Sequence, residues 1–396
     1  MHFTVIGIPD KTDFHFSPET IKIIGENTVF SGGKRHYQLV KHVLPQGHKW
    51  IDITIPLKNV FNQYSDHEDI LVFASGDPLF FGFANTIKRE IPTAEISLMP
   101  YFNSLQILAH RLVLPYHDMI NVSLTGRPFN EFDRVLIEGR EKIGLLTDKK
   151  NTPQVIAQRM IDYGYTNYDM YIGENLGGDN EIINKYKLED VHNAQISGLN
   201  CIILSQTKKR NRLFGIPEQE INILDGRPKM LTKMPIRLIS LSMLDLYNRS
   251  IMWDIGFCTG SVSVEAKMQF PHLKIHAFEK REESRELIKQ NTCKFGTPGI
   301  DSYIGDFFEM NLSPIEKPDA VFIGGHGGRL VEMMGIIKEN IIPNGIVVFN
   351  SVSKNSRDAF LEGIDKYGFK LVNKTRITVD EHNPIDILAA QAIMNI

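Results

Sequence analysis

The stretch Ile251-Met-Trp-Asp-Ile-Gly-Phe-Cys-Thr-Gly-Ser-Val-Ser-Val-Glu265 predicts a strand, a glycine turn and a helix in immediate succession. The apolar run carries Asp254 near its end, Gly256 and Gly260 bound a tight turn, and Ser261 begins the helix. In doubly wound sheets such a unit cradles a ligand, because glycines let the backbone approach it and the helix N-terminus offers free N–H groups. The stretch therefore predicts a ligand site at the carboxyl edge of a parallel sheet.

The spacing of this turn and a second acid narrow the class of ligand. The motif reads D-x-G-x-x-x-G-S and not G-x-G-x-x-G, which argues against a nicotinamide-dependent oxidoreductase. Glu279 ends the next apolar run, where a carboxylate can accept hydrogen bonds from both ribose hydroxyls. Asp306 ends a third predicted strand, where it can reach an adenine amino group. We expect a nucleoside-type ligand; the alternative is an ordinary strand–helix turn without one.

The bulk composition describes an ordinary globular protein. The chain has 396 residues, of which 42% are hydrophobic and 23% charged, and this length favours two domains. A net charge of −3 gives no strong attraction to nucleic acid or to an anionic membrane. The three cysteines have neither metal-ligand nor disulfide spacing, and no signal peptide or membrane span is apparent. We expect a cytoplasmic protein without a metal site, a nucleic-acid partner or a membrane partner.

The first half alternates predicted strands and helices, which is typical of an α/β fold. One buried strand ends in Ser75-Gly-Asp-Pro78 and so places Asp77 at the carboxyl edge of a sheet, where open α/β folds bind ligands. Residues 31–36 (Ser-Gly-Gly-Lys-Arg-His) predict a glycine-rich loop with three adjacent cationic or potentially cationic side chains. Such a loop suits a carboxylate or a phosphate, and a solvated turn is an equal alternative.

A change of composition predicts the domain boundary. Residues 206–228 are basic, polar and rich in turn signals, so we expect a linker between a domain at 1–205 and a domain at 229–396. Strands and helices alternate again in the second half. Residues 370–379 and 385–394 predict a closing antiparallel pair of strands.

Several motifs in the right order give both halves a family resemblance. The first half resembles the tetrapyrrole (corrin/porphyrin) methylase family, specifically its cobalamin-pathway member acting at C5, in Val5-Ile-Gly-Ile, Ser17-Pro-Glu19, the loop at 31–36, Ala74-Ser-Gly-Asp-Pro-Leu-Phe80, Ser123-Leu-Thr-Gly-Arg-Pro128 and Glu174-Asn-Leu-Gly-Gly178. The second half resembles the class I C15 methyltransferase and decarboxylase of the same pathway in Leu231-Thr-Lys233, Ile236-Arg237, Trp253-Asp-Ile-Gly256, Thr259-Gly-Ser-Val-Ser-Val-Glu265 and Pro318-Asp-Ala-Val-Phe-Ile-Gly-Gly325 with Gly327-Gly328.

The resemblance implies a tetrapyrrole-methylase α/β module followed by a class I Rossmann-like methyltransferase domain. It implies S-adenosyl-L-methionine as cofactor, methylation of a precorrin-type tetrapyrrole at C5 and C15, and decarboxylation of its C12 acetate. Homologous modules tend to associate, so a homo-oligomer is expected. The residues that it assigns to cofactor binding are Asp254, Gly256, Thr259, Gly260, Glu279 and Asp306 in the second half, with Gly7, Gly76 and Asp77 in the first.

The chemistry needs alignment more than it needs an activated side chain. An electron-rich pyrrole-type carbon attacks the methyl group directly, so the protein must hold the reacting atoms in line and exclude water. His326 is a candidate acid or electrostatic partner for decarboxylation, although a histidine that packs or contacts a propionate is an equal alternative. Candidate partners for the substrate carboxylates are Lys34, Arg35, Arg127, Gly324, Gly325, Gly327 and Gly328.

Two other functional interpretations stay open from the sequence. A class I methyltransferase acting on RNA or protein, with the first half as a recognition module, predicts a basic face; for base amino groups it predicts an N-P-P-[YF] strand end. Here the fourth strand of the second half ends in Phe322-Ile-Gly-Gly325. The other interpretation treats the first half as a scaffold that has lost catalysis.

Overall fold

The structure is a computed structural model that describes residues 1–226, 230–380 and 383–393. The chain divides into two compact units. The first comprises Met1–Arg127, Glu141–Gln158 and Tyr168–Thr207, and the second comprises Pro128–Arg140, Arg159–Asn167 and Lys208–Ile396. The predicted boundary at 228–229 lies outside the described residues. No helix in the described part is long and apolar enough to cross a bilayer.

The first unit is built on two five-stranded sheets. Strands β1 to β5 form a parallel sheet in the order β3-β2-β4-β1-β5, at His2–Ile8, Val29–Gly32, Lys49–Asp52, Asp69–Ser75 and Glu95–Met99. Strands β6 to β10 form a mixed sheet in the order β6-β7-β10-β8-β9, at Ile120–Ser123, Lys142–Leu146, Tyr168–Glu174, Ile182–Tyr186 and Asn200–Gln206.

Eight helices lie in the chain before residue 207: α1 to α8 at Pro18–Glu26, Lys34–Val40, Leu57–Tyr64, Phe83–Glu90, Ser104–Arg111, Asn130–Glu138, Pro153–Asp162 and Leu188–Val191. Helix α1 begins with a side-chain cap: the Ser17 hydroxyl accepts a hydrogen bond from the Thr20 N–H, and Pro18 occupies the first helical position. The expectation of a loop over 31–36 is wrong. Strand β2 continues to Gly32 and α2 begins at Lys34, because Gly33 caps that helix through its N–H bond to His36 Nδ1, 3.1 Å long.

The second unit contains the doubly wound sheet that the opening stretch predicts. Its seven strands are ordered β13-β12-β11-β14-β15-β17-β16, and the first five are parallel. Strands β11 to β17 span Ile251–Ile255, Lys274–Glu279, Ile300–Ile304, Ala320–Ile323, Ile346–Ser351, Phe369–Ile377 and Ile385–Ala392. Helices α9 to α13 span Met234–Met243, Ser261–Gln269, Glu283–Phe295, Leu330–Asn340 and Lys354–Tyr367.

Alternation along β11 places a core on each face of this sheet. Trp253 and Ile255 pack in the cluster with α12 and α13, whereas Met252 packs in the cluster with α9 and α10. From β11 the chain moves outward through β12 and β13, then returns to the other side of β11 as β14. The strand order therefore reverses between β11 and β14, and open α/β sheets bind ligands at that point. The closing antiparallel pair, β16 with β17, is confirmed, although Met394 lies outside the described residues.

The segment that composition marks as a linker is packed where the structure describes it. Ile216 is fully buried, and its N–H and that of Gly215 donate to Glu265 at 2.8 and 3.1 Å. Glu265 also accepts hydrogen bonds from Arg237, at 3.2 and 3.3 Å, and both side chains are completely buried. Buried charges are tolerated when they are paired and hydrogen-bonded. This network fixes residues 215–216 to α9 and α10.

Candidate active site

A cavity of about 1280 Å³ opens at the carboxyl edge of the seven-stranded sheet. It lies at the reversal point, because its wall contains the ends of both β11 and β14. Among the residues that the sequence predicts for a site in the second half, those on the wall are Asp254, Gly256, Glu279, Asp306, Gly324, Gly325, His326 and Gly327. The structure therefore brings the acids near the ends of β11 and β12, Asp254 and Glu279, together with the glycine-rich segment after β14.

At Gly256 the loop after β11 lies against the loop after β14. Its φ is +78°, and a Cβ atom there would lie 2.5 Å from the Gly325 nitrogen. The N–H groups of Gly324 and Gly325 donate to the Ile255 carbonyl at 2.8 and 3.2 Å, which ties the β14 loop to the end of β11. Only glycine combines this backbone conformation with such a contact. A side chain at 256 would therefore collide with the backbone of the loop after β14.

Asp254 presents an unpaired acceptor two residues before Gly256. The side chain is fully buried, and its Oδ2 accepts a 2.6 Å hydrogen bond from the Ser263 hydroxyl. Its Oδ1 has no hydrogen-bond partner in the described part of the chain. Burial raises the pKa of Asp254 to about 7, and the Ser263 hydrogen bond opposes that rise. A buried acceptor without a donor costs free energy, so this position fits a ligand that brings an N–H or ammonium group.

Glu279 supports the cavity wall as well as lining it. Its Oε2 accepts from the Cys258 N–H at 3.1 Å, and its Oε1 accepts from the Lys280 N–H and from Arg281 Nη1, both at 2.9 Å. Cys258 itself has a left-handed φ of +50°. The carboxylate therefore holds the turn after β11 against the turn after β12. Oε2 accepts one of these bonds and retains capacity for a ligand hydroxyl.

Three predicted residues shape the site without lining it: Thr259, Gly260 and Gly328 are absent from the cavity wall. A Cβ atom on Gly260 would lie 2.6 Å from the Ile288 Cγ1, so this glycine admits α11 against the turn. The Thr259 carbonyl accepts a hydrogen bond from Asn291 at 2.8 Å. Asp306 is exposed on the wall, and its Oδ1 accepts a 3.0 Å bond from the Phe308 N–H.

His326 is half-buried on the wall, beside the ring of Phe349. Its Nδ1 accepts the Gly328 N–H at 3.2 Å, which requires an unprotonated Nδ1 and places the ring proton of the neutral imidazole on Nε2. Burial lowers the pKa of His326 below its usual range. At neutral pH the His326 side chain is therefore an uncharged hydrogen-bond donor and not a cation.

In the first unit, Gly7, Gly76 and Asp77 meet at the carboxyl ends of β1 and β4. A Cβ atom on Gly7 would lie 1.9 Å from the Gly76 carbonyl oxygen, and Gly76 has a φ of +60°. Asp77 Oδ1 accepts the Leu79 N–H at 2.8 Å, which fixes the turn after β4. Gly7 leaves room for the Gly76 backbone, and Gly76 adopts the left-handed conformation of the turn, so each position favours glycine.

The predicted cationic groups of the first unit fall into two places. Arg35 donates to Ser75 Oγ at 2.8 Å and pairs with Asp10 at 3.0 Å, and Lys34 is exposed beside it. Burial and the neighbouring Arg35 lower the pKa of His36 to about 4, so His36 adds no positive charge here at neutral pH. Arg127 lines a different, smaller cavity of about 440 Å³.

Sequence reasoning missed several residues on the large cavity. Lys280 and Arg281 line it, and their position directly after the β12 acid was an available signal. Arg329 lies with its Cζ 3.8 Å from the centre of the Phe308 ring, a contact that sequence spacing does not indicate. Among the described residues, no group of three or more His, Cys, Asp or Glu side chains is arranged to hold a metal ion.

The fold and cavity define a class I methyltransferase domain, and comparison with known proteins agrees. Residues 225–393 match the family model described as precorrin methyltransferase domain. The chain is 30% identical over 162 residues to cobalt-precorrin-6B C(15)-methyltransferase (decarboxylating) of Salmonella typhimurium, covering 41% of this chain and 83% of that protein. The chain therefore belongs to the precorrin methyltransferase family, whose members are enzymes that use S-adenosyl-L-methionine.

Two further relatives match both halves. The precorrin-6Y C(5,15)-methyltransferase (decarboxylating) of Sinorhizobium sp. is 28% identical over 390 residues, which cover 96% of this chain and 91% of the relative. The protein of the same name from Mycobacterium tuberculosis is 25% identical over 353 residues, covering 87% and 85%. These relatives do not favour the alternative of a methyltransferase acting on RNA or protein.

Proposed function

We propose that the chain methylates precorrin-6Y, or its cobalt form, at C5 and C15 and removes the carboxyl group of its C12 acetate, in cobalamin biosynthesis. Residues 1–205 would carry the C5 methylation, and residues 229–396 the C15 methylation and the decarboxylation. Support for the second assignment comes chiefly from the cavity at the reversal point of the sheet, with the unpaired Asp254 Oδ1 in its wall.

The residues of this cavity fit S-adenosyl-L-methionine. Asp254 Oδ1 would accept from its ammonium group, Glu279 from its ribose hydroxyls and Asp306 from its adenine amino group. Gly256 lets the loop after β14 lie against the end of β11, and this keeps Gly324 and Gly325 in the cavity wall. When bound, S-adenosyl-L-methionine supplies an electrophilic methyl group.

The chain's own contribution to methyl transfer is alignment and exclusion of water. Phe257 and Phe278 are buried in the cavity wall, and Phe322 and Met333 extend its apolar surface. An apolar wall keeps water away from a carbon nucleophile and a sulfonium donor, so the reaction needs no strongly basic side chain. This agrees with the neutral state of His326.

Decarboxylation places a different demand on the same cavity. The bond between the acetate carbon and its carboxyl carbon breaks, carbon dioxide leaves, and the electron pair enters the conjugated macrocycle. A proton then completes the methyl group that remains. The neutral His326 can donate from Nε2 to the macrocycle or to a substrate carboxylate and so orient the departing group.

The test is the composition of the product. The full chain is incubated with precorrin-6Y, and separately with the cobalt form, together with S-adenosyl-L-methionine labelled in its methyl group. Two labelled methyl groups gained and one carbon dioxide lost are expected from one of the two substrates. One methyl gained, with carbon dioxide lost, would favour the scaffold interpretation of residues 1–205. No transfer to either substrate would contradict the proposal.

We propose further that the chain works in the cytoplasm as a homo-oligomer without a nucleic-acid partner. The net charge of −3 supports the last part, because it gives no general attraction to phosphate backbones. Light scattering of the purified chain measures the oligomeric state, and a monomer would contradict the proposed homo-oligomer. Gel-shift titration with mixed RNA tests whether the chain binds nucleic acid.

A further inference from the structure

Lys280 differs from the other cationic residues on the wall of the large cavity. Lys233 pairs with Asp380 at 3.3 Å, Arg281 with Glu279 at 2.9 Å, and Arg329 with Glu332. The exposed Lys280 side chain has no carboxylate within ion-pair distance among residues 1–226, 230–380 and 383–393. A cation at a cavity wall that has no carboxylate partner among the described residues is available to an anionic ligand.

The Lys280 ammonium group lies beside the glycine-rich loop after β14. Its Nζ is 3.9 Å from the position that a Cβ atom would occupy on Gly327. Gly327 and Gly328 have φ values of +56° and +84°, which turn the loop back on itself. The Gly328 N–H bonds to His326 Nδ1, whereas the described residues offer no acceptor to the N–H groups of His326 and Gly327. One ammonium group and two free N–H donors thus lie on the same stretch of wall.

We propose that Lys280 Nζ, with the Gly327 N–H, binds a peripheral carboxylate of the tetrapyrrole that the product retains, and so sets the position of the macrocycle over the cavity. This rests on the proposed function of the same site. An ammonium group stabilises an ionised carboxylate in the ground state, and on the departing carboxyl group it would raise the barrier to loss of carbon dioxide. Lys280 therefore suits a carboxylate that stays, and it is a specificity-determining residue for acidic macrocycles.

Steady-state kinetics of Lys280→Met, Lys280→Arg and the matched control Lys289→Met test this role. Lys289 is an exposed lysine of α11 that does not line the cavity. Loss of one charge-assisted contact should raise KM for the tetrapyrrole about tenfold in Lys280→Met, with kcat and the cofactor Kd unchanged. Lys280→Arg should recover most of the loss, and Lys289→Met should match the wild type.

Two further readouts separate this inference from the proposed function. The ratio of carbon dioxide released to methyl transferred should be the same in Lys280→Met and the wild type; a higher ratio would place Lys280 at the departing carboxyl group. Binding of uroporphyrin, a stable polycarboxylate porphyrin, can be followed by fluorescence without turnover and should weaken in Lys280→Met. An unchanged KM and unchanged uroporphyrin binding would overturn the inference even if the wild type is active. Lys280-dependent binding without methyl transfer would retain the carboxylate site and reject the proposed function.

Discussion

Replacing Asp254 by asparagine should remove cofactor binding and at the same time relieve the folded state of a buried charge. The pKa of this carboxyl group is raised from 3.8 to about 7, chiefly by burial. A raised carboxyl pKa stabilises the fold fully below the unfolded-state value, and this contribution is lost as the pH rises through the folded-state value. The asparagine has no such titration, and its Oδ1 can still accept the Ser263 hydroxyl.

The size of the effect follows from the separation of the two pKa values. Between about pH 4 and about pH 7 the unfolded chain is ionised at this position and the folded chain is not, so stability falls by about 1.4 kcal/mol per pH unit. From about pH 4.5 to about pH 7.5 the wild type should therefore lose up to about 3 kcal/mol relative to Asp254→Asn. Water entering the cavity reduces this figure, because it lowers the cost of ionisation.

Urea unfolding of both proteins across that pH range measures the difference. The chain has two tryptophans, so a Trp50→Phe background leaves the fully buried Trp253, next to Asp254 in β11, as the reporter of the second unit. Cofactor at about 100 times its Kd should stabilise the parent by about 2.7 kcal/mol and leave Asp254→Asn unchanged. Parallel pH profiles would refute the argument from burial, and cofactor-induced stabilisation of the asparagine variant would refute the assignment of Oδ1.

Substitutions at Gly256, Glu265, Arg35 and His326, with Gly139→Ala as a control, test the remaining parts of the structure. Gly256→Ala should cost about 3 kcal/mol of stability and abolish cofactor binding by calorimetry, whereas Gly139→Ala, which has a similar φ of +72° but open space around it, should cost only about 1 kcal/mol. Glu265→Gln should destabilise the second unit by about 3 kcal/mol or more in urea unfolding, because it removes the ion-pair partner of the buried Arg237 guanidinium; an effect below about 1 kcal/mol would contradict that reasoning. Charge reversal in Arg35→Glu should raise the tetrapyrrole KM of the first methylation with intact cofactor binding, and an unchanged KM would reject that residue. His326→Ala should lower the rate of decarboxylation about a hundredfold and His326→Gln much less, since glutamine keeps a neutral donor; equal loss in both would favour true acid catalysis.

The sequence predicts the frame of the second unit well because local signals and the global fold agree there. The apolar run, the left-handed Gly256 and Gly260, and the helix beginning at Ser261 all occur where the pattern places them. The acids at 254 and 279 reach one cavity because parallel neighbouring strands end at the same edge. Pairing of β11 with β12 therefore brings two acids that are far apart in the sequence into one cavity.

What the sequence does not predict depends on contacts between distant side chains. Residues 31–36 look like a loop, yet the bond between the Gly33 N–H and His36 starts a helix, and burial removes the charge of His36. Composition marks 206–228 as a solvated linker, but Glu265 on α10 accepts the N–H of Ile216 and fixes it. The local sequence around Gly33 or Ile216 does not indicate which side chain accepts its N–H, so these hydrogen bonds are evident only in the folded chain.

Cys258 shows how the turn after β11 accommodates a non-glycine residue in the left-handed conformation. A left-handed φ of +50° costs a non-glycine residue about 1–2 kcal/mol, and the turn offsets that cost with the hydrogen bond from the Cys258 N–H to Glu279 Oε2. Because Glu279 also faces the cavity, the same carboxylate stabilises the turn and remains available to a ligand. It follows that Cys258→Gly should relieve the backbone strain and keep cofactor affinity. Glu279→Gln should lower both the stability of the turn and the affinity for the cofactor. Thermal unfolding with and without S-adenosyl-L-methionine measures stability and cofactor affinity in each variant. If Cys258→Gly lost affinity, the thiol itself would contribute to the site. If Glu279→Gln kept its stability, the carboxylate would have no part in holding the turn.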